Sequence, residues 1–294
     1  MDLLAGLKER VIVLDGAMGS ELIRHGFRSE TSPEEWNVSH PDVVSRIHRE
    51  YYAAGADVVQ TNTFGGSRPK LAHFGQADRV EELNTAAARL AVAVRDAEAL
   101  GRLVAGDIGP TGKFLKPMGE LQPAELRDIF TEQAAAQIAG GVDLISIETM
   151  FDLAEACLAV EAARSVAGSR PVMACLTYGV TPRGYRTMMG VDPKRGVAAL
   201  LEAGADVVGC NCSISAEQMI ELVAELRAAT SAPIIAEPNA GLPRLEDDAT
   251  VYDETAKHFA ATVPAIVAEG ANVVGGCCGT TPAHIAALVK ALGP

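Results

Sequence analysis

The sequence predicts a single-domain α/β protein, a (β/α)8 barrel of the TIM type spanning residues 1–294. Three observations predict it. One phrase recurs: Ala54-Gly55-Ala56-Asp57-Val58-Val59, Gly140-Gly141-Val142-Asp143-Leu144-Ile145, Ala203-Gly204-Ala205-Asp206-Val207-Val208 and Glu269-Gly270-Ala271-Asn272-Val273-Val274. Each copy follows an Ala-rich amphipathic stretch and opens a β-branched run, so a glycine closes a helix and a short polar residue starts a buried parallel strand. Eight strand-then-helix units of even size can be read, with no composition break between them; a doubly wound sheet is the alternative. Finally, polar and glycine-rich residues gather at the C-terminal ends of the strands, which a barrel brings to one mouth.

In chain order, the first strand, 11–15, is a Val/Ile/Leu run ending in Asp15-Gly16-Ala17-Met18-Gly19. A helix over 41–55 leads to strand 57–63, which ends in Thr61-Asn62-Thr63-Phe64-Gly65. Helix 78–100 leads to strand 103–108 and the loop Gly106-Asp107-Ile108-Gly109-Pro110-Thr111-Gly112. That loop lacks the Lys-Ser/Thr of a P-loop and the spacing of a dinucleotide fingerprint, so it reads as a rigid turn lining the mouth. Helix 123–140 precedes strand 143–148, ending in Glu148-Thr149; helix 152–167 precedes strand 171–177, ending in Thr177-Tyr178. Helix 193–204 precedes strand 206–211, with Asn211-Cys212 at its end. Helix 215–229 precedes strand 233–237 and Glu237-Pro238-Asn239-Ala240-Gly241. Helix 254–269 precedes strand 272–276, which runs into Gly275-Gly276-Cys277-Cys278-Gly279 before a last helix at 282–292. Thr281-Pro282 reads as that helix's N-cap and first residue. The stretches 64–77, 109–122 and 238–253 are long and irregular, and all follow strands.

The composition bounds the function. Hydrophobic residues make up 48% and aromatic residues only 4%, so the core is aliphatic. A net charge of −13 argues against non-specific binding to nucleic acid or anionic membranes. No basic start followed by an apolar run marks a signal peptide, and no apolar stretch approaches a membrane span. Six cysteines without a disulfide-scaffold spacing point to a reducing, cytoplasmic compartment.

The thiols carry the chemistry. Cys277 and Cys278 are adjacent, and neighbouring residues on a regular strand point to opposite faces. Both can face one point only if the backbone bends, which Gly276 and Gly279 permit. Cys212 leaves the sixth strand and the pair leaves the eighth, so the mouth of a barrel can unite all three. Three thiolates leave one tetrahedral zinc position open, as in a catalytic site. The competing readings are buried thiols acting as small apolar side chains, a strained adjacent-cysteine disulfide, or a structural site recruiting Cys210. An iron–sulfur cluster lacks a C-x2-C run. Cys157 and Cys175 read as core. His25, His40, His48, His73, His258 and His284 are scattered and read as mostly surface or capping residues.

Zinc with three thiolates carries a formal charge of about −1 and is a poor generator of hydroxide. It can still take up and deprotonate an incoming thiol, so the expected chemistry is alkyl transfer to sulfur. Asp15 and Glu148, with Glu237 as a further candidate, suit an ammonium group, while the Gly16-Ala17 turn and the Asn239-Ala240-Gly241 loop suit a carboxylate. The pocket these describe fits an amino-acid thiol.

The motifs at Asp15–Gly19, Gln60–Phe64, Gly106–Gly112, Asn211-Cys212, Glu237–Gly241 and Gly275–Gly279 resemble the homocysteine S-methyltransferase family, over almost the whole chain and in order. The resemblance implies zinc held by Cys212, Cys277 and Cys278, with L-homocysteine sulfur as fourth ligand and nucleophile and methionine as product. It implies that Asp15, Gly16, Ala17, Thr63, Glu148 and Asn239 line the substrate pocket. Members differ in methyl donor. The opening motif, the Gln-Thr-Asn-Thr-Phe strand end and the Gly-Asp-Ile-Gly-Pro-Thr-Gly loop most resemble the homocysteine module of cobalamin-dependent methionine synthase. The expected donor is therefore methylcobalamin on a separate corrinoid protein. The alternatives are a small onium donor such as betaine or S-methylmethionine, another thiol or selenol as acceptor, or a non-catalytic zinc- or thiol-binding module.

Overall fold

Eight parallel strands alternate with eight helices: β1 (Ile12–Val13), α1 (Pro41–Ala54), β2 (Val58–Gln60), α2 (Val80–Glu98), β3 (Leu103–Ile108), α3 (Pro123–Gly140), β4 (Leu144–Met150), α4 (Leu153–Ala167), β5 (Val172–Leu176), α5 (Pro193–Ala203), β6 (Val207–Asn211), α6 (Ala216–Ala229), β7 (Ile234–Glu237), α7 (Ala256–Ala268), β8 (Val273–Val274) and α8 (Pro282–Leu292). This is a computed structural model, which describes residues 2–99, 101–246 and 249–293. The strands are hydrogen-bonded in the order β1-β8-β7-β6-β5-β4-β3-β2. A parallel bridge from Leu14 to Val58 joins the two ends, so the sheet closes into the expected (β/α)8 barrel.

The recurring phrase explains both the helix stops and the strand starts. Gly55, Gly141 and Gly204 take φ of 105°, 98° and 107°, ending α1, α3 and α5 in the left-handed conformation that glycine adopts without strain. The polar residue two positions later reaches sideways to the neighbouring strand. Asp57 accepts the N–H of Val13, Asp143 that of Val104, Asp206 that of Val172, and Asn272 that of Ile234. An arginine braces each acceptor from outside: Arg10 on Asp57, Arg95 on Asp143, Arg164 on Asp206 and Arg227 on Asn272. Every even strand thus clamps an odd neighbour at the bottom of the barrel, and the clamp sets the register on which the opposite end depends.

Side chains alternate in and out along each strand. The lower interior is apolar, with Ile12, Leu14, Val58, Leu103, Ala105, Leu144, Met173, Cys175, Val207, Ile235 and Val273 packed together and Leu3 plugging the base. Two residues beyond members of that layer come Gln60, Asp107 and Glu237, and Glu148 shares the parity of Leu144. The interior therefore turns from hydrocarbon to carboxylate as it rises toward the mouth. A second, larger apolar layer lies between the strands and the helices.

Three features depart from the expectation. The stretch 64–77 holds a short helix, Arg68–Ala72. The stretch 238–253 is not wholly irregular: Arg244–Glu246 pairs antiparallel with Ala249–Val251. His48 is fully buried on the inner face of α1, alongside Val44, Ile47, Tyr51 and Tyr52, rather than at the surface. His284 does behave as a capping residue, its Nδ1 lying 2.9 Å from the Thr281 hydroxyl.

Candidate metal centre and its pocket

Backbone distortion brings the thiols together. Cys212 and Ser213 sit at φ of 60° and 62°, a left-handed conformation that costs non-glycine residues energy and is kept where the surroundings over-determine it. Thr149, at φ 57°, makes a third such position, within a register shift of β4. In the last turn Gly279 takes φ of +80°, and a Cβ there would lie 2.3 Å from that of Tyr252. A Cβ on Gly16 would lie 2.6 Å from the Thr280 hydroxyl, so the first and last strand ends can touch only through glycine.

The three sulfurs converge. Cys212 Sγ lies 3.9 Å from Cys278 Sγ, and Cys277 Sγ lies 4.0 Å from Cys278 Sγ. Thiolates at about 2.3 Å from a tetrahedral zinc are about 3.8 Å apart, so the triad fits that ion with little movement. Cys210, one residue below Asn211 and fully buried, is not part of the cluster; its thiol is pushed up by burial and then by Glu237. Cys212 is likewise raised, to about 11, and one thiol of the triad differs. Cys278 is held far below the ordinary thiol range by hydrogen bonds from Cys212 and Cys277, with a further one from the Tyr252 hydroxyl. Hydrogen bonding to Cys212 and Cys278 pushes Cys277 up in turn.

A cavity of about 390 Å³ opens beside the sulfurs. Cys212, Cys277, Cys278, Asp107, Glu148, Thr149, Thr63, Ala17 and Ser20 line it, with Lys70, Phe64 and Phe74 toward its rim. Ala17, Thr63 and Glu148 therefore stand where the sequence reading puts them. Asp15, Gly16 and Asn239 are not in the lining. Asp15 is fully buried, one oxygen accepting the Gln60 N–H and the other without a hydrogen-bond partner. The Ala17 N–H is committed to the Thr280 hydroxyl. The Thr63 hydroxyl is committed to the Asp107 carbonyl, so its part in the lining is chiefly to brace β3. Asn239 is buried with its Oδ1 unpartnered.

Electrostatically the floor is a set of crowded carboxyls. Burial pushes Asp107 up, helped by Glu148, Glu237 and Asp15. Burial and then Cys278 raise Glu148 to about 7, opposed by a hydrogen bond from Asp107. Burial, with Glu148 and Asp15, also raises Glu237. Among the described residues, none of Asp15, Asp107, Glu148 and Glu237 has an ion-pair partner.

The sequence reading missed three residues. Asn211 is a hub: its Nδ2 reaches Glu148 at 2.7 Å and the Thr149 hydroxyl at 2.8 Å, with Cys277 Sγ at 3.9 Å, while its Oδ1 accepts the Thr149 N–H. Its side-chain role was hidden behind its place in the Asn-Cys motif. Asp107 could have been found by strand parity with Leu103 and Ala105. Tyr252 comes from a loop, for which no periodic signal exists.

The class is an α/β-barrel whose mouth gathers three sulfurs able to hold a metal ion beside an acid-floored cavity. The chain belongs to the homocysteine S-methyltransferase family, whose family model matches residues 12–292. It is 37% identical over 307 aligned residues to methionine synthase of Mycobacterium tuberculosis and 35% over 305 to that of Mycobacterium leprae. Each match covers 99% of this chain but 25% of the relative, so the chain spans about a quarter of the length of these proteins. The homocysteine methyltransferase MmuM of Escherichia coli, in its oxidized form, superposes with a TM-score of 0.82 at 26% identity over 100% of both chains. Its metallated form gives 0.81 at 24% identity over 98% of this chain and 99% of that one, a likeness of fold. No helix among the described residues is long and apolar enough to cross a membrane.

Proposed function

We propose that this barrel, residues 1–294, binds L-homocysteine and methylates its sulfur to give methionine, with zinc held by Cys212, Cys277 and Cys278. The observation that carries this reading is the sulfur triad at zinc-compatible spacing, opening onto a cavity with unpaired carboxyls on its floor. Zinc held there would supply a Lewis acid that favours the thiolate form of a bound homocysteine at neutral pH. The chain does the rest. Tyr252 and Asn211 hold the sulfurs in place. Glu148, fixed by Asn211, faces the substrate ammonium, and the buried walls exclude water from the reacting sulfur. The methyl group leaves its donor without the bonding electron pair, which stays on the donor, and a new C–S bond forms from a sulfur lone pair.

The donor we favour is a methylated corrinoid on a separate protein, supported by the motifs at Asp15–Gly19, Gln60–Phe64 and Gly106–Gly112 and by the mycobacterial methionine synthase relatives. A cavity of about 390 Å³ is too small to enclose a corrinoid, so the donor would present its methyl group from the mouth. The same volume would hold homocysteine together with a small onium donor such as betaine or S-methylmethionine, which keeps that second reading in play. The deciding experiment mixes zinc-loaded protein with L-homocysteine and methylcobalamin and follows the cobalamin spectrum and methionine together. Homocysteine-dependent demethylation supports the corrinoid reading. Absence of demethylation, in protein that holds zinc and binds homocysteine, refutes it and moves the assay to the onium donors. Failure with every donor leaves a non-catalytic thiol-binding module.

A further inference from the structure

A second group of metal-capable side chains stands outside the cavity, where the short helix Met18–Arg24 packs near α1. Glu21 and His25 are four residues apart on that helix and its C-cap, so they share one face, and Glu50 comes from α1. One ligand atom from each, a carboxylate oxygen or an imidazole nitrogen, lies within 4.8 Å of both others. Among the described residues no side-chain hydrogen bond or ion pair joins the three to one another. Glu21 is the decisive member. It is 4% exposed, and its Oε1 is buried with no hydrogen-bond partner. The Arg24 guanidinium, 3.6 Å away, is too far for a hydrogen bond, and its side chain is 63% exposed. A carboxylate oxygen buried without a donor is costly, and a cation held between it and its neighbours relieves that cost.

The spacing suits an ion. A triangle with sides at that 4.8 Å limit puts each atom about 2.8 Å from its centre, against ~2.1 Å for a metal-bound nitrogen or oxygen, so closure asks for at most about 0.7 Å of each ligand. Glu50 is partly exposed and free to make that movement. The donors are one imidazole and two carboxylates, with no sulfur; such a set suits a harder divalent ion that keeps waters in its remaining positions, while thiolates select zinc. The group Glu217, Glu254 and His258 is different, because its members already pair with each other at 3.1 and 3.4 Å and its histidine is 60% exposed. We infer that Glu21, His25 and Glu50 form a second metal site, separate from the sulfurs, for a divalent cation of the manganese class. The helix that carries Glu21 and His25 also lines the cavity through Met18, Gly19 and Ser20, and the Ser20 hydroxyl accepts the Gly279 N–H in the cysteine turn. An ion bound there ties this helix to α1 and braces one wall of the cavity.

The test titrates zinc-loaded protein with Mn2+ and follows the free ion by its electron paramagnetic resonance signal. Manganese binds N, O and S donors most weakly among the first-row divalent ions, so it leaves zinc on the thiolates. The expected result is one saturable manganese per chain with a Kd below about 100 μM. Glu21→Gln, His25→Ala and Glu50→Gln should each weaken it by at least the roughly 10- to 100-fold that even loss of a supporting group brings, with zinc content unaltered. Glu50 is partly exposed and His25 half-buried, so a folding failure of the Glu21 variant leaves two others to decide. His258→Ala and Cys212→Ser should both keep the manganese. No saturable binding below about 100 μM, or binding that survives His25→Ala and Glu50→Gln, overturns the inference. So does loss of manganese in His258→Ala, which places the ion at the other carboxylate group, or in Cys212→Ser, which places it at the sulfurs.

Discussion

Asp206→Ala tests the clamps at the foot of the barrel. Asp206 accepts the N–H of Val172 at 2.8 Å, and Val172 is fully buried. Removing the acceptor leaves that N–H without a partner in the interior, at a cost of about 1–3 kcal/mol. The accompanying ion pair to Arg164 is long, 3.5 Å, with both side chains about a third exposed, and adds at most ~1 kcal/mol after solvent screening. The expected loss is therefore about 2–3 kcal/mol. With an unfolding entropy of roughly 0.6 kcal/mol per degree for a chain of this length, the midpoint should fall by ~4 °C. Asp206→Asn keeps an oxygen in the same place, as Asn272 does for Ile234 at the fourth copy of the phrase, and should cost less than ~1 kcal/mol. Urea titration of both variants, with zinc content measured alongside, is the assay. A loss below ~0.5 kcal/mol in the alanine variant, or equal losses in the two, would refute the claim that the acceptor, and not the charge, does the clamping.

Further outcomes are expected elsewhere. Cys212→Ser and Cys278→Ser should each lose bound zinc and methyl transfer together, read by metal analysis and methionine formation; a variant with one zinc per chain and near-normal turnover contradicts the ligand assignment. Asn211→Ala keeps all three thiols but frees Glu148 and Thr149, so homocysteine affinity should drop about 10- to 100-fold, as for other residues that orient a site's functional groups. His48 is pushed down to about 4 by burial alone. The unfolded chain therefore takes up that proton first as pH falls below about 6.5. Native stability is complete above that value and loses up to about 3 kcal/mol by pH ~4. Denaturation midpoints across that window should show a shallower pH slope for His48→Leu than for the wild type.

The barrel was readable because its signals are periodic or repeated. Helices declare themselves by apolar spacing, and the Gly-x-Asp phrase, with Asn for Asp in its last copy, marks four of the eight junctions. The sulfur triad was readable because two adjacent thiols within glycines have few other uses. What escaped is tertiary. The role of Asp107 depends on strand parity, which has meaning only once the barrel's inside is known. His48 lies on the same helical stripe as Val44, Ile47, Tyr51 and Tyr52, but its polarity argued for the surface, and packing overrode that preference. Asn211 sends its amide across to β4, a contact between strands 62 residues apart. The separation of Asp15 from the cavity has the same origin. Ile12 and Leu14 face the interior, so strand alternation turns Asp15 into the wall, where it accepts the Gln60 N–H.

The charge of the site links its two halves. Three thiolates and a divalent ion would leave about one negative charge, and the floor adds carboxyls that have no ion-pair partner among the described residues. An anionic thiolate substrate would be repelled from such a pocket unless it brought its own positive group. Homocysteine does so: its ammonium offsets the floor while its sulfur, giving up a proton, reaches the metal. Neutralising the floor should therefore harm the sulfur chemistry as well as the binding. With Glu148→Gln and Asp107→Asn combined, the ammonium becomes the uncompensated charge. Homocysteine affinity should then fall by more than the two single losses added together, because in each single variant the remaining carboxylate partly serves alone. If instead the two losses simply add, the carboxyls act on the substrate independently and do not form one seat.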